Sequence, residues 1–257
     1  METILKATDV NMHFGGVKAV NNFSIEVGKG EIFGIIGPNG SGKTSFFNVL
    51  TGAYKATSGK IEFDGKNITR KPMYYTSAVG ISRTFQNIKL FSSLTVKENV
   101  LLGMHNKIYY NPFSAMLHDI KYRKIEKQAS DKVDEYLDFI GIADKKDILA
   151  TTLAYGDQRR VELARALAGE PKLLLLDELT SGMNDSESVA IMDTVYKIRE
   201  ETGVTVMMIE HNMQVMMSVA ERIVAMDSGE KIAEGTPAEI QANPAVIESY
   251  LGKEEEE

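Results

Sequence analysis

The chain has 257 residues, 43% of them hydrophobic and 25% charged, enough for one substantial core or a domain carrying a sub-domain. A net charge of −7 argues against a binder of nucleic-acid backbones, which needs a basic face. With no cysteine the chain has no disulfide or Cys-ligated metal, and no apolar run approaches the ~18 residues of a membrane span. The N-terminal residues mix charges and lack the apolar core of a signal peptide, so a soluble, cytosolic protein is expected.

Residues 4–10 and 23–27 alternate as short strands, separated by the segment 13–20. An apolar run, Ile32-Phe33-Gly34-Ile35-Ile36, leads through a glycine-rich stretch into residues 45–50 with helical spacing. Residues 59–66 form a strand ending in an Asp-Gly turn, and 78–86 a buried strand with a polar end. From Thr95 to about Gly141 the period changes: Val96, Val100, Leu101 and Met104 share helical spacing, as do Val133, Leu137 and Ile140. The aromatic segment Tyr109-Tyr110-Asn111-Pro112-Phe113 lies between them, interrupted by its proline. A helix after Gly156 stops at Gly169-Glu170-Pro171, and Leu173–Leu176 is a strand buried on both faces. Helix 186–201, strand 204–209, helix 212–221, a hairpin over 222–234 and a short helix after Pro237 follow. Met207, Met208, Met213, Met216 and Met217 are assigned to core packing, and Glu254–Glu257 to a solvated tail. Strands alternating with helices predict a mainly parallel, doubly wound α/β sheet with a helical insert.

The chemistry starts at Gly37-Pro38-Asn39-Gly40-Ser41-Gly42-Lys43-Thr44. Strand, G-x-x-x-x-G-K-[ST] and helix in that order make a phosphate-binding loop. Its glycines let backbone N–H groups point inward, and the helix adds its positive dipole end. Lys43 is placed to reach the β- and γ-phosphates, and the Thr44 hydroxyl to ligate Mg²⁺. The strand Leu173–Leu176 delivers Asp177 and Glu178 to the same edge of a parallel sheet. Asp177 suits the metal and Glu178 suits a base for the attacking water, so hydrolysis of a nucleoside triphosphate is the reaction class expected.

Three further segments make the chain resemble the nucleotide-binding subunits of ATP-binding cassette (ABC) transporters, over its whole length. Gln86 in Arg83-Thr84-Phe85-Gln86-Asn87 matches the family's Q-loop glutamine. Leu153-Ala154-Tyr155-Gly156-Asp157-Gln158-Arg159-Arg160 stands in place of the signature, and His211 in place of the switch histidine. Phe14 sits where the family stacks an aromatic on adenine, though a core aromatic is the competing assignment. The resemblance implies a P-loop NTPase fold: a RecA-like parallel sheet core with an antiparallel β sub-domain (residues 1–86 and 154–257) and an inserted helical sub-domain (87–153). It implies an ATPase using ATP and Mg²⁺, with Glu178, His211 and Gln86 catalytic and Thr44, Gln86 and Asp177 at the metal. Ala154, Tyr155, Gly156 and Asp157 would cap the ATP of a second ATP-binding subunit facing it head to tail. The implied partners are that subunit, transmembrane permease subunits and, indirectly, a substrate-binding protein, with no nucleic acid. The implied location is cytoplasmic, peripheral on the inner face of the plasma membrane.

Within the family, Arg83–Phe91, the long insert 105–125, the Leu-Ala-Tyr-Gly signature and Glu234–Ile240 resemble the larger ATPase subunit of branched-chain amino-acid importers. Alternatives are a lipopolysaccharide-exporter ATPase, a non-transport ABC ATPase, and a nucleotide-binding regulator that no longer hydrolyses. Several residues depart from the family pattern. Ala154 replaces a serine, Leu179 a proline, and Asn184-Asp185 the usual Asp-Pro. Asp157 replaces a neutral glutamine and would repel the captured phosphate unless it pairs with Arg159 or Arg160.

Overall fold

The computed structural model describes residues 2–108, 116 and 119–251. The aromatic segment Tyr109–Phe113 and the acidic tail lie outside the described residues. Two twelve-residue strands, β1 (Thr3–Phe14) and β2 (Val17–Gly28), form a hairpin closed by Gly15-Gly16. The segment 13–20 is therefore the tip of the hairpin and not a separator between short strands; Gly15, at φ +58°, permits the tight reversal. With β4 (Ser58–Phe63) and β5 (Lys66–Asn67) these strands make an antiparallel sheet in the order β2-β1-β4-β5.

The second sheet has six strands in the order β10-β9-β3-β8-β7-β6. β3 (Ile32–Ile36), β6 (Ile81–Arg83), β7 (Leu173–Asp177), β8 (Thr205–Ile209) and β9 (Arg222–Asp227) run parallel, and β10 (Glu230–Gly235) closes the edge antiparallel to β9. Its central strands are buried on both faces, so alternate residues enter different cores. Phe33, Ile35, Leu173, Leu175, Met207 and Ile209 pack toward the antiparallel sheet and α1 (Lys43–Leu50), against Phe23, Phe46, Phe47 and Phe63. Ile32, Ile36, Leu174, Leu176, Val206 and Met208 pack the other way, onto the helices.

That helical layer contains α3 (Val96–Gly103), α4 (Ile120–Ile140), α5 (Tyr155–Ala168) and α6 (Asp185–Thr202). Local chemistry sets the ends: a Thr95–Glu98 capping box starts α3, Asp119 caps α4, and Gly141 stops α4 in the left-handed conformation. Asn184 caps α6 with Glu187 in a second box, so this departure from the family's aspartate keeps the capping function. The expected strand 78–86 shrinks to β6. Residues 73–78 form α2 (Met73–Ala78), and Gly80 at φ +109° turns the chain before the strand begins. α7 (Met213–Val219), α8 (Pro237–Gln241) and α9 (Pro244–Leu251) complete the chain. Met207, Met208 and Met216 are core residues; Met213 and Met217 are half-buried, packing against that core and bordering a surface groove beside α9. Among the described residues no helix is long and apolar enough to cross a membrane.

Candidate nucleotide site

The loop from Gly37 to Thr44 joins the end of β3 to α1. Gly42, at φ +106°, caps the helix; a Cβ there would lie 2.1 Å from the Ala19 carbonyl oxygen, and one on Gly37 2.0 Å from that of Met226. Both positions therefore admit only glycine. Lys43 is buried, and its ammonium donates to the carbonyl oxygens of Gly37 (2.7 Å) and Pro38 (2.9 Å) and to Ser41 Oγ (3.3 Å). The first turn of α1 carries no acidic residue, so nothing there opposes the helix's positive end. Thr44 is exposed to the adjoining cavity.

The carboxyl ends of β6, β7 and β8 supply the other wall. Gln86 Nε2 donates to Glu178 Oε2 at 2.7 Å, and His211 Nε2 lies 2.6 Å from Glu178 Oε1. Glu178 adopts φ +51°, a left-handed backbone unusual for a residue with a side chain. Gln86, Glu178 and His211 line one cavity of about 660 Å³ with Asn39, Gly40, Gly42, Lys43 and Thr44, closed on a further side by Val17, Lys18 and Ala19 of the β-hairpin. The hydrolytic candidates and the phosphate loop thus meet in one place.

Asp177 is buried behind this cavity. Its Oδ2 accepts from Arg83 Nη2 at 2.6 Å, while its Oδ1 is buried with no hydrogen-bond partner. A buried carboxylate oxygen without a partner is a donor that suits a cation. Arg83 also donates to Asn48 Oδ1 at 2.7 Å, and its guanidinium lies over the rings of Phe47 and Phe85.

The signature candidates are elsewhere. Ala154, Gly156 and Asp157 open α5 and border a separate cavity of about 320 Å³ with Met183, Ser186 and Glu187. Tyr155, at the same helix start, is 42% exposed. Asp157 does not stand as an uncompensated charge: its carboxylate pairs with Lys145 at 2.5 Å and Arg160 at 3.6 Å. Arg159 is committed to other partners. Fully buried, it donates to the carbonyls of Phe85 (2.7 Å) and Gln86 (2.5 Å), to Tyr155 Oη (2.9 Å) and to Glu162 Oε2 (3.1 Å). The Tyr155 hydroxyl in turn donates to Ser181 O at 2.9 Å. Burial pushes the Glu162 carboxyl above the usual range, with Arg159 pulling it back most strongly. Phe14 is 45% exposed at the end of β1, edge-on to Tyr54 at 5.3 Å; it belongs neither to the core nor to the residues lining the cavity.

Sequence reading gives Arg83, Glu162 and Glu210 no role and offers Arg159 only as a partner for Asp157. Only the Arg159–Glu162–Arg165 spacing of three, which puts alternating charges on one helix face, could have drawn notice. The others gain meaning from strands and turns far away in sequence.

Residues 20–181 match the ABC transporter family. The chain belongs to that family. A shorter match covers residues 230–256, to the branched-chain amino acid ATP-binding cassette transporter family. The cassette is 38% identical over 252 residues, 98% of this chain and 99% of the relative, to the high-affinity branched-chain amino acid transport ATP-binding protein LivG of Salmonella typhimurium. Among solved structures it resembles the ADP conformation of an ATP-binding cassette of an ABC transporter, with TM-score 0.85, 32% identity, and 98% of this chain and 100% of the other covered. It also resembles a dimeric, post-hydrolysis cassette bound to ADP and Pi, with TM-score 0.76, 27% identity, and 91% and 99% covered. This ABC cassette is an ATPase, and its two sheets and helical layer are those of the P-loop NTPase cassettes.

Proposed function

We propose that this cassette hydrolyses ATP to drive import of branched-chain amino acids, paired with a second ATP-binding subunit beneath a membrane permease. The observation that carries the hydrolytic reading is Glu178, gripped by Gln86 and His211 at the rim of the phosphate-loop cavity. The substrate class rests on likeness over nearly the whole chain to branched-chain amino-acid transport proteins and on the match of residues 230–256.

In this reading the N–H groups of residues 37–44 and the Lys43 ammonium hold the phosphates. Lys43 exchanges loop carbonyls for phosphate oxygens, one acceptor set for another. Phe14 stacks on adenine at the hairpin end. Thr44, Gln86 and Asp177 would hold a magnesium ion, which when bound neutralises charge on the β- and γ-phosphate oxygens. Glu178 orients the attacking water and takes its proton. His211 and Gln86 fix the two carboxylate oxygens, so the base does not have to be ordered during the reaction. Ala154–Asp157 cap the ATP of the facing subunit, presenting the start of α5 to its γ-phosphate.

The permease has a suitable landing place. A groove of about 540 Å³ with a mostly apolar lining runs between α2, β6 and α3, bordered by Met73, Ile81, Phe85, Phe91, Leu102 and Arg165. Phe91 is 55% exposed and Met73 49%, an apolar surface suited to a short amphipathic segment of a membrane subunit. Phe85 borders the groove and precedes Gln86, so docking and the catalytic carboxylate share one loop. Cells whose only copy carries Glu178→Gln should lose uptake of leucine, isoleucine and valine and keep uptake of unrelated amino acids. Unchanged branched-chain uptake would overturn the substrate reading.

A further inference from the structure

Glu210 lies between β8 and His211, is buried to 2% exposure, and has no place in the chemistry above. Thr180 holds both of its oxygens: Oε1 accepts from the Thr180 N–H at 3.0 Å and Oε2 from the Thr180 hydroxyl at 2.7 Å. Thr180 is the second residue after Glu178 and is itself buried. The turn between them holds Glu178 at φ +51°, a conformation that persists only where its surroundings over-determine it. The Glu178 N–H donates to Ile209 O at 2.9 Å, which fixes one side of the turn; Glu210 fixes the other. A cavity of about 160 Å³ bordered by Glu178, Thr180, Ser188, Glu210, His211 and Asn212 leaves room for the turn to relax if that grip is lost.

We propose that Glu210 is a positioning residue for hydrolysis: by clamping Thr180 it locks the left-handed turn that aims the Glu178 carboxylate at the phosphate loop. This rests on the reading of Glu178 as the base. Burial pushes the Glu210 carboxyl above the usual range, the two Thr180 bonds pull it back, the nearby Glu178 pushes it up, and the Leu179 amide adds a weaker pull.

Steady-state ATPase kinetics of the full chain test the proposal. Glu210→Leu removes both acceptors and should lower kcat by about tenfold to a hundredfold, the scale for displacing a reacting group by about 1 Å, with KM for ATP within about twofold. Glu210→Gln, which can still accept from the N–H and donate to the hydroxyl, should recover most of kcat. Thr180→Val loses one bond only and should lower kcat several-fold at constant KM, which keeps the test open should Glu210→Leu not fold. Full kcat in Glu210→Leu or in Thr180→Val overturns the proposal, as does a parallel loss of kcat, ATP affinity and melting temperature without rescue by Gln. Glu178→Gln run alongside separates the two ideas. If it keeps parental turnover, the base assignment falls; if it loses turnover while Glu210→Leu does not, only the clamp falls.

Discussion

The loop before α1 and the segment that opens α5 each aim the start of a helix outward, yet they are built in opposite ways. The first is closed by its own chain: Lys43 is tied to loop carbonyls, and Gln86 and His211 each bond to Glu178 on the facing wall. The second opens to solvent, with Tyr155 partly exposed and its only first-turn acid, Asp157, neutralised sideways by Lys145 and Arg160. One region is held together by its own side chains; the other leaves its helix start open to solvent. Buried Arg159 joins them. It holds the Phe85 and Gln86 carbonyls from the same helix turn that carries the signature. Through it, the helix that begins at Tyr155 is hydrogen-bonded to the loop whose Gln86 holds the Glu178 carboxylate.

The contrast gives graded expectations. The largest effect belongs to the closed region: Glu178→Gln should keep ATP binding while steady-state hydrolysis falls by ~10²–10⁴-fold, the usual contribution of a positioned base. Lys43→Ala should act on binding instead, since a charge-assisted hydrogen bond contributes about 1.5–3 kcal/mol. Calorimetry should show ATP affinity reduced by roughly tenfold to a hundredfold, with melting temperature little changed. Phe14→Ala should weaken ATP by only several-fold and leave inorganic triphosphate unaffected, because stacking contributes about 0.5–1.5 kcal/mol. Equal losses for both ligands would remove Phe14 from the adenine site. The smallest effect belongs to the open region. In a Glu178→Gln background, Asp157→Gln should leave ATP-dependent dimerisation within about twofold in sedimentation, since a partly exposed ion pair contributes about 1 kcal/mol or less. A clearly tighter dimer would mean that the carboxylate had been repelling the captured nucleotide.

The closed region was the more legible in sequence, because its signals are contiguous. Strand, glycine loop, Lys43 and Thr44 fall within thirteen residues, and Asp177-Glu178 directly follows an apolar strand. Burial of β3, β7 and β8 on both faces is readable from their apolar runs. The hairpin β1–β2 and the strand expected over 78–86 differ from the structure where glycines set direction: Gly15 closes two long strands, and Gly80 separates a helix from a three-residue strand. The open region was harder. Asp157 looked destabilising because Lys145, its partner, lies twelve residues earlier in a short helical turn. Of the two arginines expected to pair with it, Arg160 does so and Arg159 turns into the core. Both outcomes depend on tertiary placement, which neither spacing nor propensity encodes.

On the proposed function, the phosphate loop of one chain works only when faced by the signature segment of another. The chain has no cysteine, so a pair can be introduced cleanly. One preparation would carry Asn39→Cys and a second Ala154→Cys, both in the Glu178→Gln background. Mixed and treated with a short bis-maleimide, they should give a cross-linked dimer with ATP and Mg²⁺, and far less with ADP or without nucleotide. A yield independent of nucleotide, or no cross-link with ATP, would contradict the account.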